Sequence, residues 1–361
     1  MRLERTKLPQ RKLGWIGVDI GTSVVKIAQV TRNKQGWRVA ASAVIPRQKI
    51  WPTEQVVGDK TSSTLNELQA AQSLQQGYRG RKVAATLPMS LCDVHRLDRD
   101  LEQEANASQI LRQAIETATQ QSVDELQCDY WSAPATDSKP AWSQALTVPR
   151  SWTDQLCEDI ALAGWNCEAI DGLPLALTRA VRMVSLEDST TPLAALDWGS
   201  GRATLCFIEN GQPAYVRCLK DCGLRNMLNA LVESLQVTEL EAQRLLEEYG
   251  ISSPEIKESN DFAHLVQEII SESLKQLTEE IKRSFSHYQY VRRTHGPQHL
   301  YLFGGGGMIK NLRSHLSTRL DLETHLWQLP SSSQSLVSCD LRADCLLAQA
   351  IALSALAWEA S

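Results

Sequence analysis

One supersecondary pattern occurs twice in this sequence, at residues 13–44 and again at residues 192–220. Each copy reads as an apolar strand ending in Asp-x-Gly, a few small residues, a second strand, a turn containing glycine and a third strand. Repetition of a whole unit constrains a fold more strongly than a single motif does. It predicts a duplicated α/β chain whose two tight turns can contact one polyphosphate from opposite sides.

Size and charge limit the possible classes of function. A chain of 361 residues is long enough for two domains. The formal net charge of -5 argues against a dominant role in nucleic-acid binding, which needs a basic surface. No run of about 18 uncharged apolar residues occurs, so we expect no direct insertion into a membrane.

The cysteines and the N-terminal segment indicate the compartment. The nine cysteines are scattered, and none forms a Cys-x-x-Cys motif with a matching partner, so zinc is not expected. Residues 1–12 are basic and lead directly into a strand, without the apolar core of a signal peptide. We therefore expect a reduced, cytoplasmic protein.

The segment 89–165 differs in character from its surroundings. Its pattern predicts a strand, a helix, two strands and a final helix over 151–163, with Ser151-x-x-Asp154 as the capping signature of that helix. We interpret the segment as a small α/β unit inserted between two elements of the main body.

The rest of the chain is predicted to be rich in helices. Thr238-x-x-Glu241 is a capping box that opens a helix ending at Tyr249, and apolar residues at helical spacing predict a long helix over about 264–292. The final helix, over 344–358, is apolar on all sides and should dock in the core.

The first Asp-x-Gly turn carries residue types suited to phosphate and magnesium. Gly21 permits a sharp turn close to phosphate oxygens, and Thr22 and Ser23 add hydroxyl donors. Asp19 repels phosphate but can hold hydrated Mg²⁺ through water, and Lys26 can supply positive charge. Taken alone, the motif is equally typical of a plain β-hairpin.

The second turn reproduces this pattern. Asp197 offers a second carboxylate for hydrated Mg²⁺, and Gly199, Ser200 and Gly201 form a second turn rich in small residues. Together the two turns supply what a two-sided phosphate site requires. The alternative is a duplicated hairpin retained for folding alone.

Four consecutive glycines, Gly304, Gly305, Gly306 and Gly307, precede Met308 and a predicted helix that continues to residue 320. Glycine costs backbone entropy on folding, so this run needs an explanation. A linker is implausible between a strand and a helix of a compact domain. A ligand such as an adenosine, lying flat on the backbone of the four glycines and Met308, is the interpretation that we favour.

Taken in order, these three elements resemble those of the actin-like ATPase superfamily, which has a phosphate motif in each half and then an adenosine motif. Lys26 falls where actin has its phosphate-binding lysine. Within the superfamily, which includes FtsA, the chain is similar over nearly its whole length to the PilM family of type IV pilus assembly proteins. The similar segments include IGVDIGTSVVKIAQV, VAATLPMSLCDVHRLDRD and LYLFGGGGMIKNLRSHL.

This resemblance implies an α/β fold of duplicated actin-like (ribonuclease H-like) domains with a small inserted α/β subdomain. It implies a subdomain 1A at 1–88, which is completed by 166–190 and by the C-terminal helix at 340–361. The inserted 1C subdomain would span 89–165. A second actin-like domain would span 191–339, comprising subdomain 2A and a subdomain 2B near 226–296.

The resemblance also implies a function. It implies a scaffold protein that binds ATP with Mg²⁺ in the cleft between the domains. The implied partner is the N-terminal peptide of a PilN-like protein with a single span in the inner membrane. A groove beside the inserted subdomain would hold this peptide and keep the chain at the inner face of the membrane, where other pilus or secretion components are possible partners.

Tryptophan use departs from the family pattern. Trp198 stands in the second phosphate turn, where the family usually has a small aliphatic residue. Five more tryptophans either line a partner groove or, as we expect, pack in the core: Trp51, Trp131, Trp142, Trp152 and Trp165.

Hydrolysis of ATP needs a group that orients the attacking water. Asp171 lies at the superfamily's connecting position between the halves and is the catalytic candidate, although it can equally serve as the N-cap of the next helix. Since proteins similar to PilM resemble nucleotide-gated scaffolds more than fast enzymes, we expect a weak ATPase at most.

Three alternatives stay open at this point. The chain could be an actin-like component of a type II secretion system, although that protein normally continues into a transmembrane helix. It could be an FtsA-like division protein, although residues 344–361 lack the basic character of the FtsA membrane helix. A small-molecule kinase of the same superfamily is the third alternative.

Overall fold

The computed structural model describes residues 12–34, 36–51, 62–74, 77–135, 141–185, 190–251, 261–330 and 343–359. The basic residues 1–11, on which part of the compartment prediction rests, lie outside this set.

Strands occur throughout the described chain. They are β1 (Lys12–Leu13), β2 (Ile16–Ile20), β3 (Val24–Asn33), β4 (Gly36–Pro46), β5 (Lys82–Thr86), β6 (Asp93–Leu97), β7 (Leu126–Ala133), β8 (Trp142–Pro149), β9 (Asn166–Ile170), β10 (Leu193–Trp198), β11 (Ala203–Glu209), β12 (Gln212–Leu219), β13 (His299–Phe303) and β14 (Glu323–Leu326).

Helices separate and cover these strands. They are α1 (Leu65–Leu74), α2 (Ala107–Thr119), α3 (Arg150–Leu162), α4 (Leu173–Val184), α5 (Leu224–Leu235), α6 (Glu239–Tyr249), α7 (Asp261–Arg292), the single turn α8 (Gly304–Gly307), α9 (Leu312–Leu320) and α10 (Ala343–Ala355). Among the residues that the structure describes, no helix combines the length and apolar character needed to cross a membrane.

The two repeat copies form equivalent parts of two sheets. In the first sheet, β2, β3 and β4 form an antiparallel meander, and β5 and β9 continue in parallel beyond β2. In the second sheet, β10, β11 and β12 form the meander, and β13 and β14 continue in parallel beyond β10. The duplicated α/β plan predicted from the repeat is therefore confirmed.

The inserted segment forms a third sheet with the antiparallel order β6-β8-β7. Its own small core includes Leu111 and Ile115 of α2, whereas Trp152 and Ile160 of α3 belong to the large core of the first sheet. The segment 89–165 thus contributes to two cores. Helix α2 belongs to the small core, whereas β7 and β8 also contribute Trp131 and Val148 to the large core.

The last helix, α10, packs against β2 and β3 and also contacts α4 and α8. At Gly17 of β2 a side chain is excluded, because a Cβ would lie 1.9 Å from the carbonyl oxygen of Ala350. Ser354 accepts a hydrogen bond from the backbone N–H of Val30 at 3.0 Å. The predicted docking of this apolar helix in the core is confirmed.

Several local predictions can be compared with the structure. Thr238 and Glu241 form the reciprocal capping box of α6. The Ser151-x-x-Asp154 cap is wrong, since α3 begins earlier, after Pro149, and has no side-chain cap hydrogen bond. The five tryptophans near the insertion are at most 7% exposed, so the prediction of core packing is confirmed for them.

Candidate functional site

The sequence-predicted phosphate motifs meet in one cleft of about 540 Å³. Its walls come from the ends of β2 and β10, from the turns that follow them and from α6. Of the residues predicted to bind nucleotide or metal, the cleft brings together Asp19, Gly21, Thr22, Ser23, Lys26, Asp197, Gly199, Ser200, Gly201, Gly305 and Met308.

The two turns have the same backbone geometry. The N–H of Gly21 donates to the carbonyl of Val24 at 2.9 Å, and the N–H of Gly199 donates to the carbonyl of Arg202 at 3.0 Å. In each hairpin this bond is made by the glycine of Asp-x-Gly, one residue beyond the last strand pair. Because both amides are used inside the turns, they do not point at a ligand, and contacts to phosphate must come from the residues between them.

Lys26 lies between the carboxylates of the two halves. Its register partner across β2 and β3 is Asp19, and its ammonium donates to that carboxylate at 2.5 Å. In the second half, Thr204 occupies the position opposite Asp197. One lysine therefore serves two acidic residues, and its charge is shared with them instead of projecting freely into the cleft.

This charged group controls the protonation of its members. Although burial by itself lowers the pKa of Lys26, the charges of Asp19 and Asp197 outweigh that effect and raise it above its ordinary value. Burial raises the pKa of Asp197 to about 6, with Lys26 opposing and Asp19 adding to the shift. Gln349 of α10 also holds Asp197, through a 2.8 Å hydrogen bond to its carboxylate.

Close packing against Trp198 and Asp197 explains Gly304 and Gly306 of the tetraglycine run. The structure makes Gly304–Gly307 the helical turn α8, and the predicted helix over 308–320 begins only at Leu312. A Cβ on Gly306 would lie 2.4 Å from the Trp198 ring, and one on Gly304 would lie 2.5 Å from the Asp197 carboxylate. Gly304 also has φ +76.

Gly305 differs from the other three glycines. It lines the cleft, and the nearest atom to a Cβ built there is in Leu224, at an ordinary 3.7 Å. Gly304, Gly306 and Gly307 are not among the residues lining the cleft. The proposed contact between an adenosine and this backbone is therefore confined to Gly305 and the adjacent Met308.

Within the described structure, some buried polar atoms in the cleft or beside its lining residues have no hydrogen-bond partner. The hydroxyl of Ser90 lines the cleft and makes no hydrogen bond in the described structure. The side-chain carbonyl of Gln349, next to Asp197, and Nε of Arg225, whose guanidinium lies beside Ser200, are also unpaired. Since buried polar groups are normally satisfied, these atoms fit a polar ligand such as a phosphate with hydrated magnesium.

Other lining residues were missed by the sequence analysis. Arg47 donates to the carbonyl of Gly21 at 2.8 Å and stacks on Trp51, which fixes the back of the first turn. One face of α6 adds Glu239, Gln243 and Glu247 to the cleft wall. Their spacing of four residues indicates one face of a helix, but the sequence does not show that this face is turned towards the cleft.

Asp171 lies apart from these groups. It follows β9 and is not among the lining residues of the cleft. Its carboxylate pairs with Arg179 at 2.8 Å, and Arg179 also pairs with Glu359. The N-cap of α4 is Gly172, without a side-chain cap hydrogen bond, so the alternative role as N-cap is wrong.

Comparison with protein families shows the family to which nearly the whole chain is related. The family described as "Type IV pilus assembly protein PilM" matches residues 17–354. The chain belongs to the PilM family. No curated protein matches the sequence.

Solved structures confirm the fold of this PilM-family chain. A "PilM-PilN type IV pilus biogenesis complex" matches with TM-score 0.75 and 18% identity, over 95% of this chain and 98% of the other. The ethanolamine utilization protein EutJ from Carboxydothermus hydrogenoformans matches with TM-score 0.55 and 15% identity, over 96% and 90%.

The protein MreB5 of Spiroplasma citri, solved with bound ADP, also matches, with TM-score 0.52 and 11% identity, over 94% and 95% of the two chains. At such low identity these likenesses establish the fold alone. The predicted actin-like fold is thereby confirmed. The family match favours pilus assembly over the division-protein, secretion and kinase alternatives.

Proposed function

We propose that this PilM-family chain is an actin-like scaffold of type IV pilus assembly that binds ATP with Mg²⁺ in the cleft. The observation that carries the proposal is the meeting of two equivalent Asp-x-Gly turns at one buried group of charges. Asp19 and Asp197 would hold magnesium through water, with the Gln349 carbonyl as a further acceptor. The metal would supply positive charge that neutralises the phosphates.

The experiment compares two buried aspartates that each pair with a cation. Asp19 pairs with Lys26 inside the cleft, and Asp171 pairs with Arg179 outside its lining. Because both substitutions to Asn break a buried ion pair, their costs in stability should be similar. We expect Asp19→Asn to weaken binding of ATP with Mg²⁺ at least about tenfold by calorimetry, a loss of about 1.4 kcal/mol.

Asp171→Asn should leave the affinity for ATP unchanged. A second variant, Gly305→Val, tests the adenosine contact, since the added side chain enters the cleft and should also weaken binding. Unchanged affinity in both Asp19→Asn and Gly305→Val would contradict the nucleotide site.

Hydrolysis is proposed to be slow or absent. Asp171 remains the proposed catalytic group, and its pairing with Arg179 gives it a structural partner that competes with that role. If phosphate release is measurable, Asp171→Asn should reduce it without changing ATP affinity. Steady release above about 1 s⁻¹, the low end for typical enzymes, would instead support an enzymatic function.

The proposed partner is the N-terminal peptide of a PilN-like protein with a single membrane span, which would keep the chain in the cytoplasm at the inner face of the membrane. A cavity of about 280 Å³, whose lining residues all lie within 91–149, supports a site in the inserted segment itself. It is lined by Leu91 of the first core, Leu126 of the insertion core, and polar groups that include Thr119. A groove of this kind can hold an extended tail.

Helix α2 provides a matched pair of variants for this site. Thr117 and Thr119 each donate a 2.8 Å hydrogen bond to the carbonyl four residues earlier, but only Thr119 lines the cavity. Thr119→Trp should fill the cavity and weaken binding of the labelled peptide, expected to be micromolar, at least about tenfold. Thr117→Trp should not. Equal affinities by fluorescence anisotropy would place the peptide elsewhere.

Excision of most of the inserted segment gives a second test. Asp93 and Thr147 are register partners in neighbouring strands, so residues 93–147 can be replaced by a short Gly-Ser linker that leaves α3 in the large core. The shortened chain should lose the peptide and keep ATP affinity. Retention of the peptide would contradict the assigned peptide site. Loss of ATP binding would contradict the independence of the nucleotide cleft from the inserted segment.

A further inference from the structure

A second group of side chains that can bind a metal lies in the second sheet, at the end of the sheet far from the cleft. The parallel strands β13 and β14 place His299 opposite Glu323 and Tyr301 opposite His325. Since residues two apart along a strand share one face, His299, Glu323 and His325 project on the same side of the sheet.

The three side chains converge on one point. His299 Nδ1 and His325 Nε2 are 3.1 Å apart, and each of these nitrogens is 3.5 Å from an oxygen of Glu323. Ligand atoms bound at 2.0–2.1 Å to tetrahedral zinc are separated by about 3.3–3.4 Å. The two nitrogens therefore lie near the separation of tetrahedral ligands, and the carboxylate, which faces His299 with Oε2 and His325 with Oε1, needs a rotation of the Glu323 side chain to place one oxygen at the third position.

We propose that His299, Glu323 and His325 form a site for Zn²⁺, with a fourth position for water or for a side chain from another molecule. Two imidazoles and a carboxylate are ligands that zinc accepts in proteins. The proton between the two facing nitrogens would move through solvent to the other nitrogen of its ring, so that His299 Nδ1 and His325 Nε2 both offer lone pairs to the metal. Glu323 is the most exposed of the three, with 65% of its side chain accessible, so a metal ion can reach the site directly from solvent.

The site is separate from the nucleotide cleft. His299 begins β13 and Phe303 ends it beside the tetraglycine turn, so roughly 13 Å of strand lies between the two sites. In the described sheet, β14 pairs only with β13. A zinc ion bound by His299 and by two residues of β14 would act as a clip that holds this edge strand in register.

Sequence patterns do not indicate this site. The expectation that zinc is absent rested on cysteine spacing, whereas the ligands found here are two histidines and a glutamate. Glu323 and His325 alternate along a strand, and His299 comes from a different strand, so no zinc motif spacing is present. Only the parallel pairing of β13 with β14 brings the three together.

The test uses the full chain and two metal probes. Zn²⁺ affinity is measured by competition with a chromophoric chelator for the unaltered chain and for His299→Ala, Glu323→Gln and His325→Ala. Since even outer-sphere changes typically cost 10–100-fold in metal affinity, loss of a ligand should weaken binding at least about tenfold. His287→Ala is the matched control, because His287 is an exposed histidine on α7 outside the cluster.

Co²⁺ then reports the coordination geometry. We expect intense visible absorption bands typical of tetrahedral cobalt in the unaltered chain and in His287→Ala, and their loss in the three cluster variants. Thermal unfolding without metal checks that each variant folds. Zinc affinity that is unchanged in all three cluster variants, or the weak bands of octahedral cobalt, would overturn the proposal.

Discussion

Substitution of Gly306 by alanine tests the packing of the tetraglycine turn. The added Cβ would lie 2.4 Å from Cδ2 and 2.5 Å from Cγ of Trp198. Carbon atoms in contact are normally about 3.5–4.0 Å apart, so the overlap is roughly 1 Å. The indole cannot withdraw easily, because Trp198 is 2% exposed and its Nε1 donates to the carbonyl of Cys222 at 2.8 Å.

The expected cost follows from opposing contributions. Overpacking of a core costs about 1–3 kcal/mol, and weakening of the indole hydrogen bond adds about 0.5–1.5 kcal/mol. Replacing glycine by alanine in a helical turn returns up to about 1 kcal/mol. We therefore expect Gly306→Ala to lower the free energy of unfolding by about 0.5–4.5 kcal/mol. Calorimetry should show a lower Tm, by about 2–4 °C per kcal/mol for a domain of this size.

The neighbouring glycine supplies the control. Gly305→Ala makes the same chemical change one residue earlier, where the nearest atom is 3.7 Å from the added Cβ, and it should leave Tm unchanged or slightly raised. In a Trp198→Leu background the cost of Gly306→Ala should fall by at least about 1 kcal/mol, since contacting residues couple. An equal loss in both backgrounds, or in both glycine variants, would refute the steric explanation.

Two further predictions concern stability. Thr238→Ala removes the capping box of α6 and should lower the free energy of unfolding by about 1 kcal/mol; an unchanged denaturation midpoint would contradict a stabilising cap. Arg292→Met leaves Glu209 buried without the partner that it contacts through two guanidinium nitrogens, which should cost about 3–5 kcal/mol by urea unfolding. The double variant Arg292→Met with Glu209→Gln should recover part of that loss, and a double variant as unstable as the single one would show that charge burial is not the cause.

Local elements were predictable because their signals are local. The long helix expected over about 264–292 is α7, Asp261–Arg292, and the helix opened by the Thr238 capping box ends at Tyr249 as predicted. The start of α3 was placed one residue too late. A capping sequence shows where a helix can begin, but the sequence alone does not show which of several neighbouring residues begins it. Here Pro149 precedes the helix, and the Arg150 side chain is bonded to the carbonyls of Asp124 and Leu126.

The candidate site was predictable only in part. The two Asp-x-Gly turns repeat, and repetition is visible without a structure. Ser90 lines the cleft and Gln349 donates to Asp197 in its wall, but both come from distant segments and only tertiary packing reveals their roles. The glycines were interpreted as a ligand surface, whereas Gly306 is required by Trp198. The sequence contains both residues, but nothing in it shows that they touch.

The position of α10 has a consequence for the order of folding during synthesis. The hydrogen bond between Val30 and Ser354 joins residues 324 positions apart. At about 5–20 residues per second, the ribosome needs roughly 16 to 65 s to make that stretch. The strands of the second sheet, in contrast, lie within the continuous segment 193–326.

The second sheet can therefore close while the first still lacks the helix that covers it. We expect nascent chains of this protein to fold from the second half toward the first, against the usual precedence of N-terminal domains. Until residue 354 emerges, the apolar face of β2 and β3 is a surface that chaperones can bind.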